Sequence, residues 1–82
     1  MKILPLSKEL TKYLQKHKLE KKFIKQKEFF EGNAFHPSLE TEILAPKHLR
    51  IWSFRIDKKY RAIFIFRTNN TIEILDINNH YK

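Results

Sequence analysis

Ile51 to Arg67, IWSFRIDKKYRAIFIFR, consists of two alternating apolar runs joined across Asp57-Lys58-Lys59. Successive side chains of an extended strand point to opposite faces, so Trp52, Phe54 and Ile56 share one side of the first run and Ile51, Ser53 and Arg55 the other. In the second run Tyr60, Ala62, Phe64 and Phe66 alternate with Arg61, Ile63, Ile65 and Arg67. The stretch therefore predicts a β-hairpin with one aromatic face and one arginine-bearing face. The aromatic face needs a cover. The arginine face either meets an anionic partner or is simply solvated.

Register decides whether the arginines act together. A two-residue loop at Lys58-Lys59 would mix aromatic and charged side chains on both faces. A three-residue loop, Asp57 to Lys59, pairs Arg55 with Arg61 and keeps Trp52, Phe54, Ala62 and Phe64 together, and this is the register expected. Two guanidinium groups directly opposite each other repel, a cost tolerable chiefly where a phosphate lies between them.

The chain has 82 residues and reads as a single domain spanning 1–82, whose core is sufficient if helices cover the sheet. Seven Phe, three Tyr and one Trp supply that core with large apolar area. With no cysteine there is neither a disulfide framework nor a thiolate metal site, and the four histidines lack the paired spacing of a metal motif. No cofactor or metal is therefore expected. No apolar run approaches membrane-spanning length and no signal peptide precedes the first helix, so a soluble cytoplasmic protein with no membrane partner is expected. Seventeen Lys and Arg against nine Asp and Glu give a net charge of +8, which favours polyanions, nucleic acid above all. Nine of the thirteen lysines fall before residue 28, whereas all four arginines, Arg50, Arg55, Arg61 and Arg67, lie between residues 50 and 67. Lysine suits long-range attraction and arginine a defined site.

Around the hairpin the chain predicts two helices. Met1 to Leu6 can form a short strand that Pro5 confines to an edge or to its own end. Ser7 is a plausible N-cap for a helix from about Lys8 to about His17, with Leu6, Leu10, Tyr13 and Leu14 on one face. Leu19, Phe23, Gln26 and Phe30 mark a second helix, which Gly32 would end in a left-handed C-cap. Pro37 and Pro46 block a continuous helix between Asn33 and Lys47, where Leu39 to Leu44 can hold a short extended piece. This irregular segment delivers Glu42, Lys47 and His48 to the start of the hairpin. A last strand, Thr71 to Ile77, follows a turn at Asn69-Asn70 and pairs with the strand beginning at Tyr60. The fold class expected is α+β: an N-terminal helical hairpin on a three- to four-stranded antiparallel sheet.

The order of these parts resembles the RelE/ParE superfamily of toxins from type II toxin-antitoxin systems, and most closely its YoeB/RelE-like mRNA interferases. The residues that carry the resemblance are SFRI at Ser53 to Ile56, YR at Tyr60-Arg61, HPSL at His36 to Leu39, LAPKHLRIWSFRI at Leu44 to Ile56, and a closing HY at His80-Tyr81. The resemblance spans nearly the whole chain. It implies a ribosome-dependent endoribonuclease that cuts mRNA and is neutralised by a cognate antitoxin, with operator DNA bound only through the toxin-antitoxin complex. The ParE branch implies instead a toxin of DNA gyrase. A catalytically inactive nucleic-acid-binding module of the same fold is a third possibility.

The YoeB-like branch uses a strand arginine and a terminal His-Tyr pair, which match Arg61, His80 and Tyr81, while Arg55 matches a second strand arginine. RNA cleaves itself when its 2′-OH is deprotonated, the phosphorane charge is stabilised and the leaving 5′-oxygen is protonated. Arg61 and Arg55 suit charge stabilisation. His80 suits the general acid, and Tyr81 can stack a base or orient the leaving group. For the general base the resemblance offers Glu42 in the YoeB-like manner or Lys47 in the RelE manner, and chemistry alone adds His48. Lys47, His48, Arg50, Arg55 and Arg67 are the residues expected to contact RNA. For His80-Tyr81 the competing reading is a frayed chain end.

Overall fold

In the computed structural model, which describes residues 1–79, Ser7 opens helix α1 (Lys8–Lys16) by accepting the Leu10 amide on its hydroxyl at 3.1 Å. Glu9 lies in the first turn and Lys16 in the last, each complementing the helix dipole. The α1 C-terminus closes in a Schellman arrangement. Lys18 takes the left-handed conformation at φ 56°, the Leu19 amide donates to the Leu14 carbonyl at 2.8 Å and the Lys18 amide to that of Gln15 at 3.2 Å. Leu14 and Leu19, both buried, supply its apolar contact. That turn sets helix α2 (Glu20–Gly32) beside α1. Gly32 does not form the expected left-handed cap: it is the last residue of α2, and Asn33 caps the helix in extended geometry. The reversal that needed a left-handed residue falls between the helices, at Lys18.

Among the described residues the sheet has five strands, one or two more than the three to four expected, and it is mixed. Their order is β1 (Lys2–Ile3), β5 (Thr71–Asn79), β4 (Tyr60–Phe66), β3 (Trp52–Arg55) and β2 (Glu42–Ile43). Only β1 and β5 run parallel. The two edge strands have two residues each and lie within the short strand expected in Met1 to Leu6 and the extended piece expected in Leu39 to Leu44. The hairpin has the expected register, with Trp52 opposite Phe64, Phe54 opposite Ala62 and Arg55 opposite Arg61. Asp57 fixes the three-residue loop by accepting the amides of Lys59 and Tyr60, each at 2.8 Å, and Lys22 of α2 approaches the same carboxylate at 3.1 Å.

Strand β5 runs two residues beyond the expected Ile77, to Asn79 opposite Tyr60. A bulge shifts its pairing, so that Ile63 faces Asp76 while Phe64 faces Ile74. The extra residue, Leu75, is exposed, and Ile72, Ile74 and Ile77 all remain buried. This register jump is what a spacing of two followed by three requires of a strand with one apolar face.

The helices cover the aromatic face. Phe30 of α2 packs on Phe54 at 5.1 Å between ring centroids and edge-on to Phe64 at 5.3 Å, with Phe23 stacked beyond Phe54 at 6.4 Å. Leu10, Leu14, Ala62 and the β5 isoleucines complete the core. Trp52, expected in this core, is only partly buried and meets Phe35 and Phe66 edge-on at the sheet end. One buried polar side chain crosses the layers. Gln26 donates to the Arg55 carbonyl at 2.7 Å and to the Ser38 carbonyl at 3.1 Å, tying α2 to both the hairpin and the connecting loop. Among the described residues no helix is long and apolar enough to cross a membrane.

Candidate active site

The sheet face opposite the helices carries Ser53 and Arg55 from β3, Arg61 and Ile63 from β4, and Glu42 from β2, which pairs with Ser53. Arg61 lies in the middle of this set and is only 8% exposed. A guanidinium so enclosed requires partners, and the segment between α2 and β2 supplies them. His36 starts a 3₁₀ turn at Pro37–Leu39 by accepting the Ser38 amide on Nδ1 at 3.1 Å, and Leu39 is fully buried. Glu40 then turns left-handed, with φ and ψ both 46°, unusual for a residue with a side chain. The turn aims the Glu40 carbonyl at Arg61 Nη2, 2.6 Å away. Arg61 Nε donates to the Ser53 hydroxyl at 3.0 Å.

The Glu40 carboxylate lies between the two arginines, with one oxygen 3.1 Å from Arg55 Nη1 and the other 3.7 Å from Arg61 Nη1. The anion expected between the opposed guanidinium groups is thus a carboxylate of the chain itself. Glu42 adds a second carboxylate, 3.9 Å from Arg61 Nη2. The arginines differ in setting. Arg61 is locked by Ser53 and the Glu40 backbone, whereas the Arg55 side chain is 34% exposed. It borders an open cleft with Glu40, Lys58, Lys59 and Asn79.

The other predicted site residues lie elsewhere. Lys47 and His48 sit exposed on a second 3₁₀ turn, Lys47–Leu49, and their side chains make no hydrogen bond or ion pair among the described residues. Arg50 follows in a left-handed conformation at φ 54°. Arg50 and Arg67 line a separate cleft with Trp52, Phe66, Thr68 and Asn69, and Arg67 donates from Nε to Glu73 at 2.6 Å. Six residues of extended strand put Arg67 roughly 20 Å from Arg61, so the five residues expected to contact RNA fall into separate groups. His80 and Tyr81 lie outside the described residues. The last described residue, Asn79, is one position from Asn78, the cross-strand partner of Arg61.

Two solved structures of Staphylococcus aureus YoeB cover 98% of this chain and 94% of their own at 25% identity: a YoeB dimer, with a TM-score of 0.70, and a heterotetrameric YoeB-YefM toxin-antitoxin complex, with a TM-score of 0.69. A YoeB/ParE toxin from Agrobacterium tumefaciens is similar in fold, with a TM-score of 0.71 at 19% identity over 99% of this chain and all of that one. The chain has the YoeB-like fold of the RelE/ParE superfamily. No family model matches the sequence, and no curated protein matches it either.

Within this YoeB-like fold two contributors to the site escaped sequence reading. Ser53 was on the arginine face by alternation, and a small hydroxyl residue there was the available sign of a buried hydrogen-bond partner. Glu40 gave none. Its left-handed backbone is not signalled by glycine or asparagine, and its approach to Arg61 depends on how the whole segment from Asn33 to Thr41 wraps the sheet edge.

Proposed function

We propose that this chain is the toxin of a toxin-antitoxin pair and that it stops translation as an endoribonuclease cutting mRNA on the ribosome. The observation that carries this reading is the cross-strand pair of Arg55 and Arg61 with the Glu40 and Glu42 carboxylates beside it, on the open face of a sheet similar to that of YoeB. The arginines bind the scissile phosphodiester and stabilise the charge that builds on its oxygens as the 2′-oxygen attacks phosphorus. Arg61 arrives already oriented, since Ser53 and the Glu40 carbonyl hold two of its nitrogens.

A base removes the 2′-hydroxyl proton, the 2′-oxygen bonds to phosphorus, and the 5′-oxygen leaves with a proton from an acid, giving a 2′,3′-cyclic phosphate and a 5′-hydroxyl. Of the three candidate bases, Glu42, Lys47 and His48, Glu42 is the one beside Arg61, at 3.9 Å. Lys47 and His48, on the neighbouring turn, are better suited to holding RNA. His80 is assigned the acid and Tyr81 the stacking or orienting role. Strand β5 pairs with the Arg61 strand as far as Asn79, the residue before His80 in the sequence. Arg50 and Arg67 contact RNA further along its path. The partners are mRNA, the ribosome and a cognate antitoxin, the last of these supported by the similarity to a YoeB-YefM complex, with operator DNA reached only through the toxin-antitoxin complex. The cytoplasm is the corresponding location.

Single-turnover cleavage of mRNA on programmed ribosomes tests this. Cutting that requires ribosomes and Arg61 is expected. Intact mRNA accompanied by gyrase-dependent DNA breaks would overturn the nuclease reading in favour of a ParE-like toxin.

A further inference from the structure

Glu40 has two connections to the arginines, and they differ in permanence. Its backbone carbonyl bonds Arg61 Nη2 at 2.6 Å, fixed by the left-handed turn. Its side chain is 58% exposed and reaches Arg55 at 3.1 Å and Arg61 at 3.7 Å, contacts of the kind that solvent and salt weaken readily. Arg61 is the reverse, since Nε and Nη2 are committed to Ser53 and the Glu40 carbonyl while Nη1 lies 3.7 Å from the carboxylate.

We propose that the Glu40 carboxylate is a displaceable internal occupant of the Arg55–Arg61 phosphodiester subsite, holding the place of the anion until substrate enters. This deepens the nuclease reading and rests on it for the identity of the anion. A carboxylate and a phosphodiester each offer two charge-sharing oxygens to guanidinium donors, so one replaces the other without moving either arginine. The displaced side chain has somewhere to go. The adjoining cleft is lined by Lys58 and Lys59, which make no side-chain ion pair among the described residues. The backbone of Glu40 stays in place throughout, so Arg61 keeps its orientation when substrate enters. The occupant also neutralises two like charges held directly opposite each other while the subsite holds no ligand.

The test is titration with dimethyl phosphate, a phosphodiester that has no 2′-hydroxyl and cannot be cut, followed by NMR of the arginine Nε–H signals at low ionic strength. Glu40→Gln keeps the shape and backbone but removes the competing charge. It is expected to bind about 3- to 10-fold more tightly than the parent, with the Arg55 and Arg61 signals moving. Glu28→Gln removes an exposed carboxylate on α2, on the helix side of the sheet, and it is expected to change affinity less than about twofold. Equal gains in both variants would mean that only net charge matters and would overturn the proposal. So would no gain in Glu40→Gln, or no binding in any form. Because this readout needs no cleavage, tightened binding in a protein that cuts no mRNA would sustain the subsite while refuting the nuclease. Ribosome-dependent cutting with unchanged binding would do the opposite.

Discussion

The side-chain amide of Gln26 donates to the main-chain carbonyl of Arg55 at 2.7 Å, so the strand that presents one site arginine is pinned from the opposite layer of the fold. The same amide nitrogen holds Ser38, two residues before Glu40. Gln26→Leu leaves both carbonyls without this donor. The expected loss is about 1–3 kcal/mol of unfolding free energy, read as a lower midpoint in urea denaturation with an unchanged slope.

The two arginines should separate stability from activity. Arg55→Ala removes an exposed ion pair and is expected to alter stability by less than about 1 kcal/mol. Arg61→Ala strips the partner from Ser53 and the Glu40 carbonyl and is expected to cost about 1–3 kcal/mol. Each should slow ribosomal cleavage by about 10²- to 10³-fold. Thermal melts beside single-turnover rates check both, and a fully active Arg61→Ala would remove it from the proposed mechanism.

Deleting His80 to Lys82 tests the chain end. If His80 is the general acid, the cleavage step falls ~10²- to 10⁴-fold while the melting temperature hardly moves, because the buried residues of β5 end at Ile77. His80→Ala alone should reproduce most of the loss. An unchanged rate in the truncated protein would reassign the acid.

The hairpin loop carries a pH dependence of its own. Burial tends to raise the Asp57 carboxyl, but the amides of Tyr60 and Lys59 and the Lys22 ammonium outweigh it and hold its pKa below the ordinary 3.8. A carboxyl lowered in the folded state stabilises the fold above the unfolded pKa, and that contribution is lost as pH falls through the folded value. Stability should therefore decline below about pH 4 partly through Asp57. Asp57→Ala, compared with the parent by denaturation from neutral pH downward, should flatten that part of the decline.

The hairpin and its cover were legible because their signals are local. Alternation from Trp52 to Phe66 sorted side chains onto two faces, the Asp57 loop length set the register, and the Phe23–Phe30 spacing supplied the covering helix. Lys2–Ile3 and Glu42–Ile43 fall within the edge strand expected in Met1 to Leu6 and the extended piece expected in Leu39 to Leu44, but their partners were not legible, since two residues contain no period and their pairing is decided by distant neighbours. At the site, the opposition of Arg55 and Arg61 followed from register alone. The burial of Arg61 did not, because it comes from a loop carbonyl whose position no local pattern encodes. Gly32 misled for a related reason: the left-handed turn was needed where the two helices meet, and Lys18 adopts it there at φ 56°.

The parallel pairing of β1 with β5 orders events during synthesis. Lys2 and Ile3 find their strand partners only at Thr71 and Ile72, so β1 leaves the ribosome before the other four strands of the sheet and waits for β5. Contacts of such long sequence separation close late and slow folding. The Arg61 strand, flanked on one side by that same β5, reaches its finished surroundings at the same stage. A nascent chain therefore emerges with its hairpin arginines present but the sheet around them incomplete, and the protein acquires its finished surface only after the β5 residues have cleared the ribosome that made them.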